Sequence, residues 1–207
     1  MRTWVKICGL STPETVDAAV EAGVDAVGFV FAPGSPRTID PATARELTAR
    51  VPAGVETVGV FRGQDVETVL ELARASSVST VQLHGDETPG DVARAHEAGL
   101  RVIRAVGAAA YAAEPEEARG AFREDALLLD AVAPGAGATF DSAPLLAAPP
   151  ARDWLLAGGL TPANVAGLLA GLRPQGAVGV DVSSGVESSR GVKSVELIRA
   201  FVVAARA

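Results

Sequence analysis

Short runs of β-branched and aromatic residues alternate along this chain with longer stretches in which apolar residues recur every three or four positions. The short runs are Trp4–Cys8, Val24–Phe31, Glu56–Phe61, Thr80–His84, Arg101–Val106, Ala126–Asp130, Trp154–Ala157 and Ala177–Val182. Their starts lie roughly 20–32 residues apart, the length of one strand-plus-helix unit. Helical periodicity marks Glu14–Glu21, Ala42–Arg50, Val66–Ala75 and Val165–Leu172. Thr12-Pro13, Asp40-Pro41, Thr88-Pro89 and Thr161-Pro162 each set a capping side chain before a proline, which predicts four helix starts. Proline in the first helical position loses no useful hydrogen bond. Helix signals are weak over Gly107–Arg123 and Phe140–Pro150, where alanine or proline dominates.

Strands alternating with helices imply a parallel sheet of the α/β class. Eight such units imply closure into a (β/α)8 barrel. The 207 residues then form one domain, 1–207, close to the minimum for this fold, whose typical length is about 250 residues. An open doubly wound sheet is the alternative. It normally carries a glycine-rich dinucleotide loop after the first strand, whereas Cys8-Gly9-Leu10-Ser11 stands there.

In such a barrel the reactive groups sit at the C-terminal ends of the strands. That rule selects Cys8, the loop after Phe31, His84, Asp130, Gly158-Gly159 and Asp181 through Gly185. Alternation along the first strand puts Trp4, Lys6 and Cys8 on one face. A buried Lys6 needs a partner, and Asp181 sits on the last strand, next to the first in a closed barrel. A cation beside Cys8 favours its thiolate; a lone cysteine is also commonly a plain buried apolar side chain. Asp130 reads as a loop aspartate or as an acid or base at the barrel mouth, across from Cys8; an apolar setting suits a general acid. Arg37, in the shaped loop Pro33-Gly34-Ser35-Pro36-Arg37, is a surface arginine or a carboxylate clamp. His84 lines the pocket or caps its strand, and His96 reads as part of a solvated helix face. Ala157-Gly158-Gly159-Leu160-Thr161 and Asp181-Val182-Ser183-Ser184-Gly185-Val186 follow strands seven and eight, the usual place for a phosphate in this fold. Glycines there let backbone N–H groups approach an anion, helped by a short helix N-terminus.

Composition narrows the partner. Hydrophobic residues make up 48% and charged residues 21%, ordinary for a globular protein. A net charge of −7 argues against nucleic acid and anionic membranes, which need basic surface. No apolar run reaches the ~18 residues of a membrane helix. A small anionic molecule is the expected partner, and a monomer or a homodimer the expected assembly. One cysteine excludes an internal disulfide and a cysteine-rich zinc site. The first residues lack the apolar stretch of a secretion signal, which predicts a cytoplasmic protein. Lys6 and Lys193 are the only lysines among 18 lysines and arginines, so each is an informative choice.

The segments Val5-Lys6-Ile7-Cys8-Gly9, Gly28-Phe29-Val30-Phe31 through Ser35-Pro36-Arg37, Val81-Gln82-Leu83-His84-Gly85-Asp86-Glu87, Leu128-Leu129-Asp130, Leu156-Ala157-Gly158-Gly159-Leu160-Thr161-Pro162 and Gly179-Val180-Asp181-Val182-Ser183-Ser184-Gly185-Val186-Glu187 resemble the phosphoribosylanthranilate isomerase family across essentially the whole chain. The glycine segments are shared with other phosphate-binding barrels; Lys-Ile-Cys-Gly together with Ser-Pro-Arg is far more specific. The resemblance implies a cofactor-free, metal-free Amadori rearrangement in tryptophan biosynthesis. It implies Asp130 as general acid, Cys8 as general base, Arg37 on the anthranilate carboxylate, and Gly158, Gly159, Ser184 and Gly185 on the phosphate, with His84 and Asp181 also at the substrate.

The chain departs from the family after strand six. Pro134-Gly135-Ala136-Gly137-Ala138-Thr139-Phe140-Asp141-Ser142 stands where the family reads Gly-Gly-Thr-Gly before Phe-Asp-Trp. Lys193-Ser194 replaces the usual Lys-Asp, a change that touches helix capping. Three other readings compete. The histidine-pathway isomerase relies on two aspartates and two similar half-barrels. Indole-glycerol-phosphate synthase needs lysines that this chain lacks. The altered loop after strand six is the one feature that favours a catalytically silent phosphate-binding barrel, and retention of both Cys8 and Asp130 speaks against it.

Overall fold

The computed structural model describes residues 2–130, 146 and 149–207. The eight apolar runs are strands: β1 (Trp4–Cys8), β2 (Ala26–Val30), β3 (Glu56–Arg62), β4 (Thr80–His84), β5 (Arg101–Gly107), β6 (Ala126–Asp130), β7 (Trp154–Ala157) and β8 (Ala177–Val182). They pair in sequence order, all parallel, and β8 pairs back onto β1. The sheet is therefore a closed (β/α)8 barrel, which removes the open-sheet alternative.

Helices α1 (Pro13–Glu21), α2 (Pro41–Thr48), α3 (Val66–Ser76), α4 (Pro89–Glu97), α5 (Ala108–Ala113), α6 (Glu116–Ala121), α7 (Val165–Leu172) and α8 (Val195–Arg206) lie between or after the strands. The first turns explain themselves. Thr12, Asp40 and Thr88 accept the Thr15, Thr43 and Asp91 N–H groups at 3.3, 2.9 and 3.3 Å, each just before a proline. Asp91 returns the bond to Thr88 N at 2.8 Å, completing a capping box. Ser194 caps α8 by accepting from Leu197 N at 3.3 Å.

Thr161-Pro162 does not start a helix. Helix α7 begins at Val165 with Asn164 as its cap. The Asn164 side chain is turned back instead, accepting from Thr161 N at 2.7 Å and donating to Gly159 O at 2.9 Å. That bridge makes residues 161–164 a turn fastened to the strand-seven loop. The weak stretch Gly107–Arg123 resolves into α5 and α6. The variant loop Pro134–Ser142 and most of Phe140–Pro150 lie outside the described residues.

Strand parity builds two apolar layers. Val5, Ile7, Val27, Phe29, Leu127, Leu129 and Leu156 point outward under the helices. Cys8, Val30, Val58, Val60, Ile103, Leu128 and Leu155 fill the barrel. Fully burying one large apolar side chain contributes about 1.5–3 kcal/mol, so both layers hold the strand ends rigidly. After β8 comes a short turn (Ser184–Val186), then a small hairpin of β9 (Glu187–Ser189) and β10 (Val192–Lys193) over the barrel mouth. Among the described residues, no helix is long and apolar enough to cross a membrane.

Candidate active site

Lys6 faces into the barrel and is fully buried. In the β1–β8 register it lies directly opposite Asp181. Its ammonium donates to Asp181 Oδ1 at 2.9 Å. Burial works against the charge of Lys6, but Asp181 and Cys8 outweigh it and raise the lysine pKa. Cys8, two residues on, is 5% exposed. Burial raises the pKa of its thiol; Lys6 and, more weakly, Lys193 oppose this without reversing it. The cation expected beside Cys8 is present, yet the expected thiolate is not favoured, because removing the sulfur from water outweighs the cation.

The loop after β2 is shaped by its own side chains. Ser35 accepts from Arg37 N at 3.2 Å, and Thr38 donates to Ala32 O at 2.5 Å. Arg37 thereby reaches the barrel mouth, where its Nε and Nη2 donate to Glu187 Oε1 and Oε2 at 2.5 and 3.0 Å. Lys193 donates to the same Oε1 at 2.8 Å and to Ser183 O at 2.8 Å. Burial opposes the charge of Glu187, but the bonds from Arg37, Lys193 and Gly191 N prevail and hold its pKa at about 2. Burial lowers the pKa of Lys193, with Glu187 pulling the other way.

His84 ends β4, and Asp130 ends β6; both are half-buried. Burial lowers the His84 pKa; Asp130 opposes this and Arg62 adds to it, so the neutral ring is favoured. His96 lies exposed on α4, as expected, and its Nε2 meets Asp125 Oδ2 at 3.0 Å.

The loops after β7 and β8 are in direct contact. A Cβ on Gly185 would fall 1.7 Å from Leu160 O, so no other residue fits without moving one loop. Gly158 and Gly159 both have left-handed backbones, with φ of 91° and 62°, which glycine adopts without strain. A cleft of about 520 Å³ opens here. Its wall carries Arg37, His84, Asp130, Gly158, Gly159, Asp181, Ser184 and Gly185, eight of the nine residues singled out from the sequence. The ninth, Cys8, is not on that wall but buried at the end of β1. Ser183, inside the selected stretch Asp181 through Gly185, also lines the cleft, as do Arg62 and Arg190, which were not anticipated. Glu187 and Lys193 were missed as site residues too: Glu187 ends the last glycine segment but carries no signal of its own, and Lys193 stood out only as a rare lysine. Among the described residues no group of three His, Cys, Asp or Glu side chains could hold a metal ion.

Comparison with known proteins bears on this geometry. A family profile described as N-(5′-phosphoribosyl)anthranilate (PRA) isomerase matches residues 5–204. The N-(5′-phosphoribosyl)anthranilate isomerase of Rhodospirillum rubrum is 44% identical, over 99% of this chain and 98% of that protein. The crystal structure of TrpF from Jonesia denitrificans is 46% identical, covers 99% of this chain and 97% of its own, and superimposes with a TM-score of 0.84. A phosphoribosyl anthranilate isomerase crystallised with reduced 1-(o-carboxyphenylamino)-1-deoxyribulose 5-phosphate is 37% identical over 98% of both chains, with a TM-score of 0.79. The chain belongs to the N-(5′-phosphoribosyl)anthranilate isomerase family.

Proposed function

We propose that this chain converts N-(5′-phosphoribosyl)anthranilate to 1-(2-carboxyphenylamino)-1-deoxyribulose 5-phosphate, the isomerisation step of tryptophan biosynthesis, by general acid–base chemistry without metal or organic cofactor. The observation that carries this reading is the convergence of Asp130, Arg37 and the two glycine loops on one cleft, with Cys8 buried at the end of β1, the strand paired with β8.

The substrate has an anion at each end. Backbone N–H groups of Gly158, Gly159, Ser184 and Gly185 hold the phosphate; Arg37 holds the anthranilate carboxylate. Pinning both ends fixes the ribose between them and supplies orientation in advance of the chemistry. Asp130 protonates the furanose ring oxygen, and the ring opens to a Schiff base. Cys8 then takes the C2′ proton, leaving an enolamine that tautomerises to the ketone. The protonated nitrogen of the opened substrate accepts the electron pair, so the chemistry itself calls for no further electron sink. Neutral His84 lines the wall beside Asp130, and Asp181 fixes Lys6 under Cys8. A thiol whose pKa is raised is a stronger base once ionised, at the cost of a smaller ionised fraction near neutral pH.

The test is a fluorescence assay on freshly prepared phosphoribosylanthranilate, with the spontaneous hydrolysis rate subtracted and Cys8→Ala run in parallel. Rapid, Cys8-dependent loss of the anthranilate signal is expected. A folded protein that gives no loss above background would overturn the reading.

A further inference from the structure

Arg37 is the proposed anchor for a carboxylate, yet a carboxylate of the chain itself already holds it. The Glu187 side chain is 5% exposed and accepts four hydrogen bonds. Two come from Arg37 Nε and Nη2, at 2.5 and 3.0 Å. The others come from Lys193 Nζ at 2.8 Å and Gly191 N at 3.0 Å. One carboxylate thus joins the loop after β2 to the β9–β10 hairpin. Through Lys193, which also donates to Ser183 O at 2.8 Å and Ser183 Oγ at 3.2 Å, it reaches the start of the loop after β8.

The geometry of a guanidinium decides what remains. Its five N–H groups form a rigid planar fork. Nε and one terminal nitrogen make the side face, and the two terminal nitrogens make the end face. Glu187 occupies the side face. The end face, with one N–H from each terminal nitrogen, remains available, and Arg37 lines the cleft. The charges agree: Arg37 and Lys193 are two cations around one carboxylate, so the cluster keeps one positive charge for an incoming anion. An arginine left alone on this loop would have to be ordered at the moment of binding, which weakens affinity.

We propose that Glu187 is a positioning residue that holds Arg37 side-on, aims its end face at the anthranilate carboxylate, and so sets the preference for substrates carrying that group. This rests on the reading of Arg37 as the carboxylate anchor. Glu187 itself touches no substrate.

The experiment compares kcat/KM for phosphoribosylanthranilate with kcat/KM for phosphoribosylaniline, which lacks only the carboxylate. The ratio of the two measures carboxylate recognition and is blind to general damage. Wild type is expected to favour the carboxylate, and Arg37→Ala to bring the ratio near unity. Glu187→Gln is expected to lower the ratio about tenfold, through KM of the carboxylate substrate, as loss of a charge-assisted contact does. In the Arg37→Ala background, Glu187→Gln should change the ratio no further. An unchanged ratio in Glu187→Gln overturns the proposal, as does an equal loss on both substrates, which marks a merely structural role. A wild-type ratio retained by Arg37→Ala removes the anchor itself, and the proposal with it, so the two failures are told apart. Thermal melting checks folding. If Glu187→Gln does not fold, Glu187→Asp keeps the charge with a shorter reach and should lower the ratio less but in the same direction; an unchanged ratio there also overturns the proposal.

Discussion

Lys6 and Asp181 face each other across the seam between the first and last barrel strands, 2.9 Å apart, with Lys6 fully buried and Asp181 nearly so. Removing one member of such a pair leaves a buried charge without compensation, which costs about 3–5 kcal/mol. Lys6→Met is expected to lose that much unfolding free energy in a urea titration. Lys6→Met combined with Asp181→Leu should lose less, because no charge is stranded. Single costs that simply add in the double variant would show that the two groups do not act as a pair.

Cys8→Ala and Asp130→Asn test the proton transfers. Each should lower kcat by about 10²–10⁴-fold, the usual contribution of a positioned acid or base. Far-ultraviolet circular dichroism should remain that of the folded barrel. Near-wild-type turnover in either variant would remove that residue from the mechanism.

The state of Cys8 sets a pH dependence. A base works deprotonated, and below its pKa the deprotonated fraction falls about tenfold per pH unit. Burial raises the Cys8 pKa above the ordinary thiol value of 9.0. In the Asp130→Asn variant, where the acid no longer titrates, residual kcat/KM should therefore rise with pH from about 7 to about 9, with a logarithmic slope near one. A flat profile over that range would assign the proton transfer to another group or place ionisation of the thiol after substrate binding.

Gly185→Ala tests the phosphate loops. The added methyl would meet Leu160 O at 1.7 Å, so one loop must shift. Overpacking of this kind costs about 1–3 kcal/mol. A raised KM and weaker inhibition by inorganic phosphate are expected, with kcat less affected. Unaltered inhibition by phosphate would place the phosphate elsewhere.

The sequence revealed what depends on local pattern. All eight strands were legible because their β-branched runs are bounded by turns and caps, and β1, β4, β6, β7 and β8 begin and end where the pattern predicted. The Lys6–Asp181 pair was legible because strand parity and barrel closure together fix which residues face each other. Three features were not. Periodicity placed α7 at Val165–Leu172, but its cap was misread as Thr161-Pro162, because Asn164 turns back to Thr161 and Gly159 and no local rule distinguishes that from an ordinary cap. The protonation of Cys8 depends on burial, which packing decides. Glu187 gains its place only by meeting Arg37, 150 residues earlier in the chain, and nothing near either residue announces the other.

The fit of Gly185 against Leu160 bears on how this barrel can be rebuilt. The loops of this fold are ordinarily treated as exchangeable parts, one per strand, grafted singly to change a specificity. Here the backbone of one loop is the seat of the other, and Asn164 fastens the first to its own helix start. The two are a single cassette. A graft that replaces the loop after β8 must bring the loop after β7 with it, and divergence at this end of the barrel is confined to changes that both tolerate at once.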